Sequence, residues 1–501
     1  MSIRVRFFIV ALLLGTLAAP AGHSSSLFPE DQVEEFRLDN GMTFLLMPHG
    51  ETPVFSAYIR YRVGGMDEPP GMTGVAHVIE HMAFKGTQTW GTRDWAKEQE
   101  VLKSIEQVGQ KLAKAYAAGK RGPQLAKLQQ RLDELYEEHR RYNDSEALTR
   151  EYQRRGGLQM NATTGQDVTT YFISLPSSEL NFWAEAESER LFHPVFREFY
   201  RERDVVLEER RMRVVDDPGG AFYQELLEKA FLDSPYSRPT IGYKDDLMTL
   251  TRTKAEEFFK TYYRPDLAVG AIVGRFDLKK VKRLLKDSFG KIPPVSTPLP
   301  VADKVPEAPL SRQGCRVDMQ RPAQSRLAVV YHKPAIGTRD DYVFDVIATI
   351  LSEDRYARLY RSLVLEKGLA VSVDAYPGIP GSRLPNLFMI YAIPRNGVPL
   401  DRLREEIENE LNSMVKEVVS DEELERARKH LISSQVWRLS ENASLAADLS
   451  YFQSIAGDWR YLVGYSDVIA DIEAPEIQSV AKKYFTAGNR CLGFLHGAPK
   501  S

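Results

Sequence analysis

Two cysteines, Cys315 and Cys491, are all that 501 residues contain, which excludes a fold framed by disulfides. Whether these two meet is not legible in the sequence. Charge of one sign is also missing. Sixty-six Lys and Arg against 69 Asp and Glu leave a formal net charge of -3, so no bulk electrostatic case exists for nucleic acid or an anionic membrane. Neither a P-loop nor a dinucleotide glycine fingerprint follows a strand-like run. Past the N-terminus, no apolar run approaches the length of a membrane span. What remains is ordinary for a globular chain, 43% hydrophobic and 27% charged, and long enough for about two to four domains.

The N-terminus reads MSIRVRFFIVALLLGTLAAPAGHSSS. Arg4 and Arg6 precede an apolar run from Phe7 to Leu17, and Ala19-Pro20-Ala21 gives a small-x-small cleavage site. That is the pattern of a signal peptide, residues 1–21, cut near Ala21, and it predicts a periplasmic or secreted protein. No cysteine follows the site, so lipid attachment is not supported.

Strand-like and helix-like stretches then alternate. Asn40-Gly41 signals a hairpin, and VFSAYIRYRV alternates as a sheet strand does. From about 97 to 155 the composition changes to Lys, Glu, Gln, Arg and Leu. Val101, Ile105, Val108 and Leu112, then Leu125, Leu128, Leu132 and Leu135, keep helical spacing on either side of the breaker GKRGP. This predicts an antiparallel helical hairpin packed on itself by a narrow seam, a solvated insertion first and a docking or gating arm as the alternative. Strand character returns at NATTGQDVTTYFISLP, and a proline-rich linker occupies 293–309. Beyond it the first half is echoed: IQSVAKKYFTAGNRCLGFLHG follows the pattern of AEEFFKTYYRPDLAVGAIVG. The expected fold is therefore α+β, with two homologous halves, 22–292 and 310–501, each a mainly antiparallel sheet covered by helices.

The stretch GVAHVIEHMAFKG, Gly74 to Gly86, places His77, Glu80 and His81 within five positions. On a helix, His77 and His81 share a face and Glu80 lies beside them. Two imidazoles suit zinc, a catalytic site needs a third protein ligand, and the adjacent glutamate can take a proton from water. The order H-x-x-E-H is the inverzincin signature. A further run, RERDVVLEERR, carries Glu202 and Glu209 two helical turns apart.

With HVIEHMAFKGT, NATTGQDVTTYF, PVFREFYRERDVVLEERRM, SPYSRPTIGY and EKGLAVSV, the chain resembles the pitrilysin/insulysin family of zinc peptidases, in the short branch that includes mitochondrial processing peptidase. The resemblance implies peptide-bond hydrolysis with one zinc ion per chain. His77, His81 and Glu209 would be the metal ligands, Glu202 a supporting partner and Glu80 the general base. It also implies that Asn161 and Ala162 lie on an edge strand that receives an extended peptide.

One departure from the family is visible. Active members carry an Arg and a Tyr seven apart in the second half, where this chain has Val364 and Val371. The family encloses its substrate in a shell of four repeats, and two are present here. The expectation is a catalytic subunit, either paired with a related chain that bears the Arg/Tyr pair or forming a homodimer. Two alternatives stand beside it: a non-catalytic peptide-binding or scaffold subunit, and a peptidase dedicated to maturing one precursor.

Overall fold

A computed structural model describes residue 28 and residues 30–299 and 314–497. The expected signal peptide, with Ala21, and the expected linker from residue 300 onward lie outside the described residues. The first sheet holds β1 (Glu34–Arg37), β2 (Thr43–Pro48), β3 (Val54–Tyr61), β4 (Leu158–Thr164), β5 (Thr169–Pro176) and β6 (Ala268–Gly274). The second holds β7 (Cys315–Arg321), β8 (Arg326–Lys333), β9 (Ala370–Ile379), β10 (Asn386–Pro394) and β11 (Arg490–Gly497).

Their orders are β1-β2-β6-β3-β5-β4 and β7-β11-β8-β10-β9. Apart from the extra β1, the two are superimposable in pairing. β2 and β6 are parallel as β7 and β11 are, and the remaining pairs are antiparallel. The internal echo in the sequence is therefore a repeat of topology. Cys315 and Cys491 face each other across the parallel β7/β11 pair, Cα atoms 4.3 Å apart, and form a disulfide.

The central strands are apolar on both faces, which is why FLLM, LAVVY and GAIVG read as continuous runs rather than alternations. Phe44 and Leu46 of β2 enter the core of the first half, while Leu45 and Met47 face the other way. That second face is covered from the other repeat. Leu445, Ala446 and Leu449 of the helix Asn442–Ile455, with Trp459 and Leu462, pack on Leu45, Met47, Ala271 and Val273. The exchange is reciprocal. Phe222, Leu226 and Leu227 of the helix Pro218–Ala230 pack on Ala328, Val330, Leu387 and Leu495 of the second sheet. A Cβ on Gly493 of β11 would lie 2.6 Å from the Phe222 ring, so the approach requires glycine. The two halves are repeats of one unit, yet each closes its sheet with the other's helix.

The hairpin consists of the helices Trp95–Ala117 and Pro123–His139, followed by Ala147–Arg154. Its seam residues are the expected ones, with Val101, Ile105, Leu112, Leu132 and Leu135 buried. The hairpin is also anchored to the rest of the first half by buried polar contacts. Glu98, fully buried, ion-pairs with Arg197 and accepts a hydrogen bond from His139 Nε2 at 2.9 Å, and both partners are buried too. Gly109 abuts Tyr200 so closely that a Cβ would overlap its ring at 1.9 Å, and the Tyr200 hydroxyl donates to Glu106 at 2.8 Å. Charge on the outer face, visible in the sequence, hid a polar inner contact.

Because each sheet is closed by the opposite repeat, unfolding is expected to be a single transition. Denaturant curves followed by far-UV circular dichroism and by tryptophan fluorescence should coincide. Leu449→Ala should lower stability by about 2–5 kcal/mol without splitting them. Two separable transitions would contradict the interlock.

Candidate metal centre

The helix Val75–Met82 buries Val75, Ala76, Val78, Ile79 and Met82, and that apolar stripe fixes its rotation. His77, Glu80 and His81 are left on the opposite side, partly buried. The helix N-terminus is held by the buried Glu68 carboxyl, which accepts from the backbone N–H of Gly74 at 2.8 Å and of Ala76 at 2.9 Å. Gly74 has φ 86°, and a Cβ there would meet the Ile241 carbonyl at 2.8 Å, so the entry turn admits only glycine.

The helix Phe199–Arg210 brings the two glutamates. Phe199, Tyr200, Arg203 and Val206 are buried, and the seven-residue spacing puts Glu202 and Glu209 toward the histidines. One candidate ligand atom each from His77, His81 and Glu209 lies within 4.8 Å of the others. His77 Nε2 is 3.5 Å from Glu209 Oε2, an oxygen that is buried and makes no hydrogen bond. The imidazoles stand perpendicular with centroids 5.0 Å apart. His81 Nδ1 lies 3.1 Å from Glu202 Oε2. With Nδ1–H donating, the lone pair of Nε2 is free. Lys85 Nζ holds the other Glu202 oxygen at 2.7 Å.

The electrostatics divide these groups. Burial, then the neighbouring charges of His81 and Arg213, drive His77 down to about 3, so it is neutral with a lone pair to offer. Burial also works against the charged form of His81, but the Glu202 hydrogen bond and charge outweigh it and raise its pKa. Glu202 is held below its usual range, since its bonds to His81 and Lys85 overcome burial. Glu80 is raised by burial, while a hydrogen bond from Thr164 pulls it partly back. Two nitrogens and one carboxylate oxygen, one of them unpartnered and buried, are a donor set that fits zinc.

Thr164 belongs to β4, and its hydroxyl donates to Glu80 Oε2 at 2.6 Å. β4 is an outer strand, paired among the described residues with β5 alone. Asn161 and Ala162 fall on opposite faces of it. Ala162 is buried in the first core. Asn161 is exposed and lines a cleft of about 610 Å³ whose far wall is Arg438, Glu441 and Ser444 of the second half. A bulge at Gln159, with φ 56°, breaks the ladder just before Asn161. Thr164 and Lys85 were not singled out in the sequence. Alternation from Ala162 puts Thr164 on the inner face, and Lys85 lies one helical repeat beyond His81, so a period count would have found both. Val364 is buried, and Val371 on β9 is 56% exposed. Nearby Arg361 pairs with Glu366 at 3.5 Å.

Residues 49–121 match the family model described as Insulinase (Peptidase family M16), and residues 249–431 match that of the Peptidase M16 inactive domain. The zinc protease PqqE of Helicobacter pylori is 26% identical over 486 residues, covering 95% of this chain and 94% of that protein. The crystal structure of a protease from Helicobacter pylori superposes with a TM-score of 0.78 at 22% identity, covering 93% of this chain and 99% of that one. The periplasmic protease PqqL from Escherichia coli gives a TM-score of 0.70 at 16% identity, over 94% of this chain and 48% of PqqL.

Two outcomes are expected from this geometry. Glu202→Gln should weaken zinc binding about 10–100-fold, measured by competition with a chromophoric chelator. Glu98→Ala leaves Arg197 buried and unpaired and should cost about 3–5 kcal/mol. Hydrogen exchange should then rise first in residues 95–139.

Proposed function

Since the chain belongs to the insulinase/pitrilysin-type M16 family in its two-repeat form, we propose that it is the zinc-dependent endopeptidase subunit of an exported peptidase, hydrolysing peptides or unfolded segments in an enclosed chamber. The observation that carries this is the cluster of His77, His81 and Glu209 with Glu80 beside it, anchored to an outer strand through Thr164. His77, His81 and Glu209 would hold the metal, with Glu202 fixing the tautomer of His81. A zinc ion held there supplies Lewis acidity toward the scissile carbonyl and makes water acidic enough to lose a proton near neutral pH.

Glu80 does the proton work. Its burial makes it a stronger base than an exposed carboxylate, and the Thr164 hydroxyl orients it. It accepts a proton from the attacking water and delivers it to the leaving amine. An extended peptide adds to the open edge of β4, where backbone hydrogen bonds bind it without reading its sequence. Alternate side chains then face the cleft beside Asn161. The outer-strand position of Asn161 and Ala162 supports their role as the binding segment.

Neither Val364 nor Val371 offers a polar group to a developing oxyanion. That favours a partner subunit that supplies an Arg/Tyr pair, with a homodimer as the simpler alternative. The same absence favours a second reading, a non-catalytic peptide-binding subunit. Against it stands the complete set of ligands and base. Dedication to one precursor peptide is a narrower form of the first reading. Export is supported by the N-terminal sequence and by the description of PqqL as periplasmic. Among the described residues no helix is long and apolar enough to cross a membrane.

Glu80→Gln should retain zinc and lower the turnover of a quenched peptide library about 10²–10⁴-fold, with or without a co-expressed related chain. Zinc bound by the unmutated chain with no turnover, alone or with the related chain, would favour the peptide-binding reading instead.

A further inference from the structure

A cavity of about 310 Å³ opens in the second half and shares no lining residue with the His77, His81 and Glu209 cluster. Its position follows from the internal repeat. The helix Arg339–Ser352 follows β8 as Val75–Met82 follows β3, and β8 and β3 hold the same place in their sheets. Laid over one another, VAHVIEHM (75–82) and VFDVIATI (343–350) match at Val75 and Val343, Val78 and Val346, and Ile79 and Ile347, all buried. In that register Asp345 stands in the place of His77, Ala348 in that of Glu80 and Thr349 in that of His81.

The helix Asp421–Arg438 precedes the exchanged helix Asn442–Ile455 as the glutamate helix precedes Pro218–Ala230. Ser434 thereby comes to the neighbourhood of Glu209's place. β9 stands where β4 does. Asp345, Ser434, and Pro377 and Gly378 of β9 all line the cavity. The second repeat has kept the hollow and exchanged its chemistry.

What replaces the ligand set is a pair of acceptors. Asp345 makes no ion pair among the described residues, and one of its oxygens accepts from the Tyr465 hydroxyl at 2.9 Å. Gln435, 8% exposed, donates Nε2–H to the Leu462 carbonyl at 2.6 Å, while its buried Oε1 makes no hydrogen bond. The other charges are already matched, Lys333 with Asp341 and Arg438 with Asp448. Phe452 and Tyr461 stack with centroids 4.7 Å apart and, with Tyr465, give the cavity an aromatic wall. Burial and the Asp341 charge push Asp345 up to about 7, against the Tyr465 hydrogen bond. A half-buried carboxyl and an unpartnered carbonyl oxygen that line one cavity, walled by aromatic rings, are complemented by a group that only donates and carries positive charge.

We propose that this cavity is a second binding site, for a small protonated primary amine whose ammonium lies between Asp345 and Gln435 and whose apolar part rests on Phe452, Tyr461 and Tyr465. The site is independent of peptide hydrolysis. Phenethylamine, phenethyl alcohol and 3-phenylpropionate are titrated calorimetrically into the mature full-length chain. The amine is expected to bind, and the neutral and anionic analogues are not. Asp345→Asn should weaken amine binding at least about tenfold. Ser434→Trp, on an exposed position of the helix and so benign for folding, should abolish it by filling the cavity. Thermal unfolding confirms that both variants fold, and Glu80→Gln should bind the amine as the parent does. Equal binding of the alcohol, survival of amine binding in Asp345→Asn, or no heat with millimolar amine in the parent would each overturn the proposal.

Discussion

Each sheet in this protein has two apolar faces, and the helices of one repeat pack into only one of them. The structure is organised around that constraint. The helices Pro218–Ala230 and Asn442–Ile455 occupy equivalent places in the two repeats, and each seals the sheet of the other. Polar contacts reinforce the exchange. Arg60 of β3 donates to Ser450 and to the Ala447 carbonyl at 3.1 and 3.2 Å, and Arg383 of the second half pairs with Asp67 at 3.0 Å. The loop that leads into the histidine helix is thereby tied to the far repeat.

The candidate centre inherits its precision from packing rather than from the short motif alone. One apolar stripe sets the rotation of the histidine helix, and Glu68 fixes its start. The hairpin clamps the glutamate helix by Tyr200 and, just before it, by Arg197. Side chains so supported tolerate little drift, which a candidate metal centre requires.

Much of this was legible in the sequence where periodicity and local chemistry agree. The His77, Glu80 and His81 face follows from helical spacing, and the β1–β2 turn follows from Asn40-Gly41. The duplication showed in the matching helix, turn and strand that end in β6 and β11. What escaped depends on distance along the chain. The burial of Glu98 is decided by Arg197, a hundred positions away, and nothing near Glu98 announces it. The helix exchange was equally hidden, because an amphipathic helix shows which face it buries but not against which sheet. The pairing of Cys315 with Cys491 needs the parallel register of β7 and β11, which no local pattern encodes.

The exchange also orders events in time. A chain that is made, or threaded through a membrane pore, from its N-terminus presents β2, β3 and β6 long before residues 442–455 exist to cover them. For that interval one whole face of the first sheet is bare hydrocarbon, exposed to water and to neighbouring chains. The first half is a waiting structure, completed only when nearly the last tenth of the polypeptide arrives.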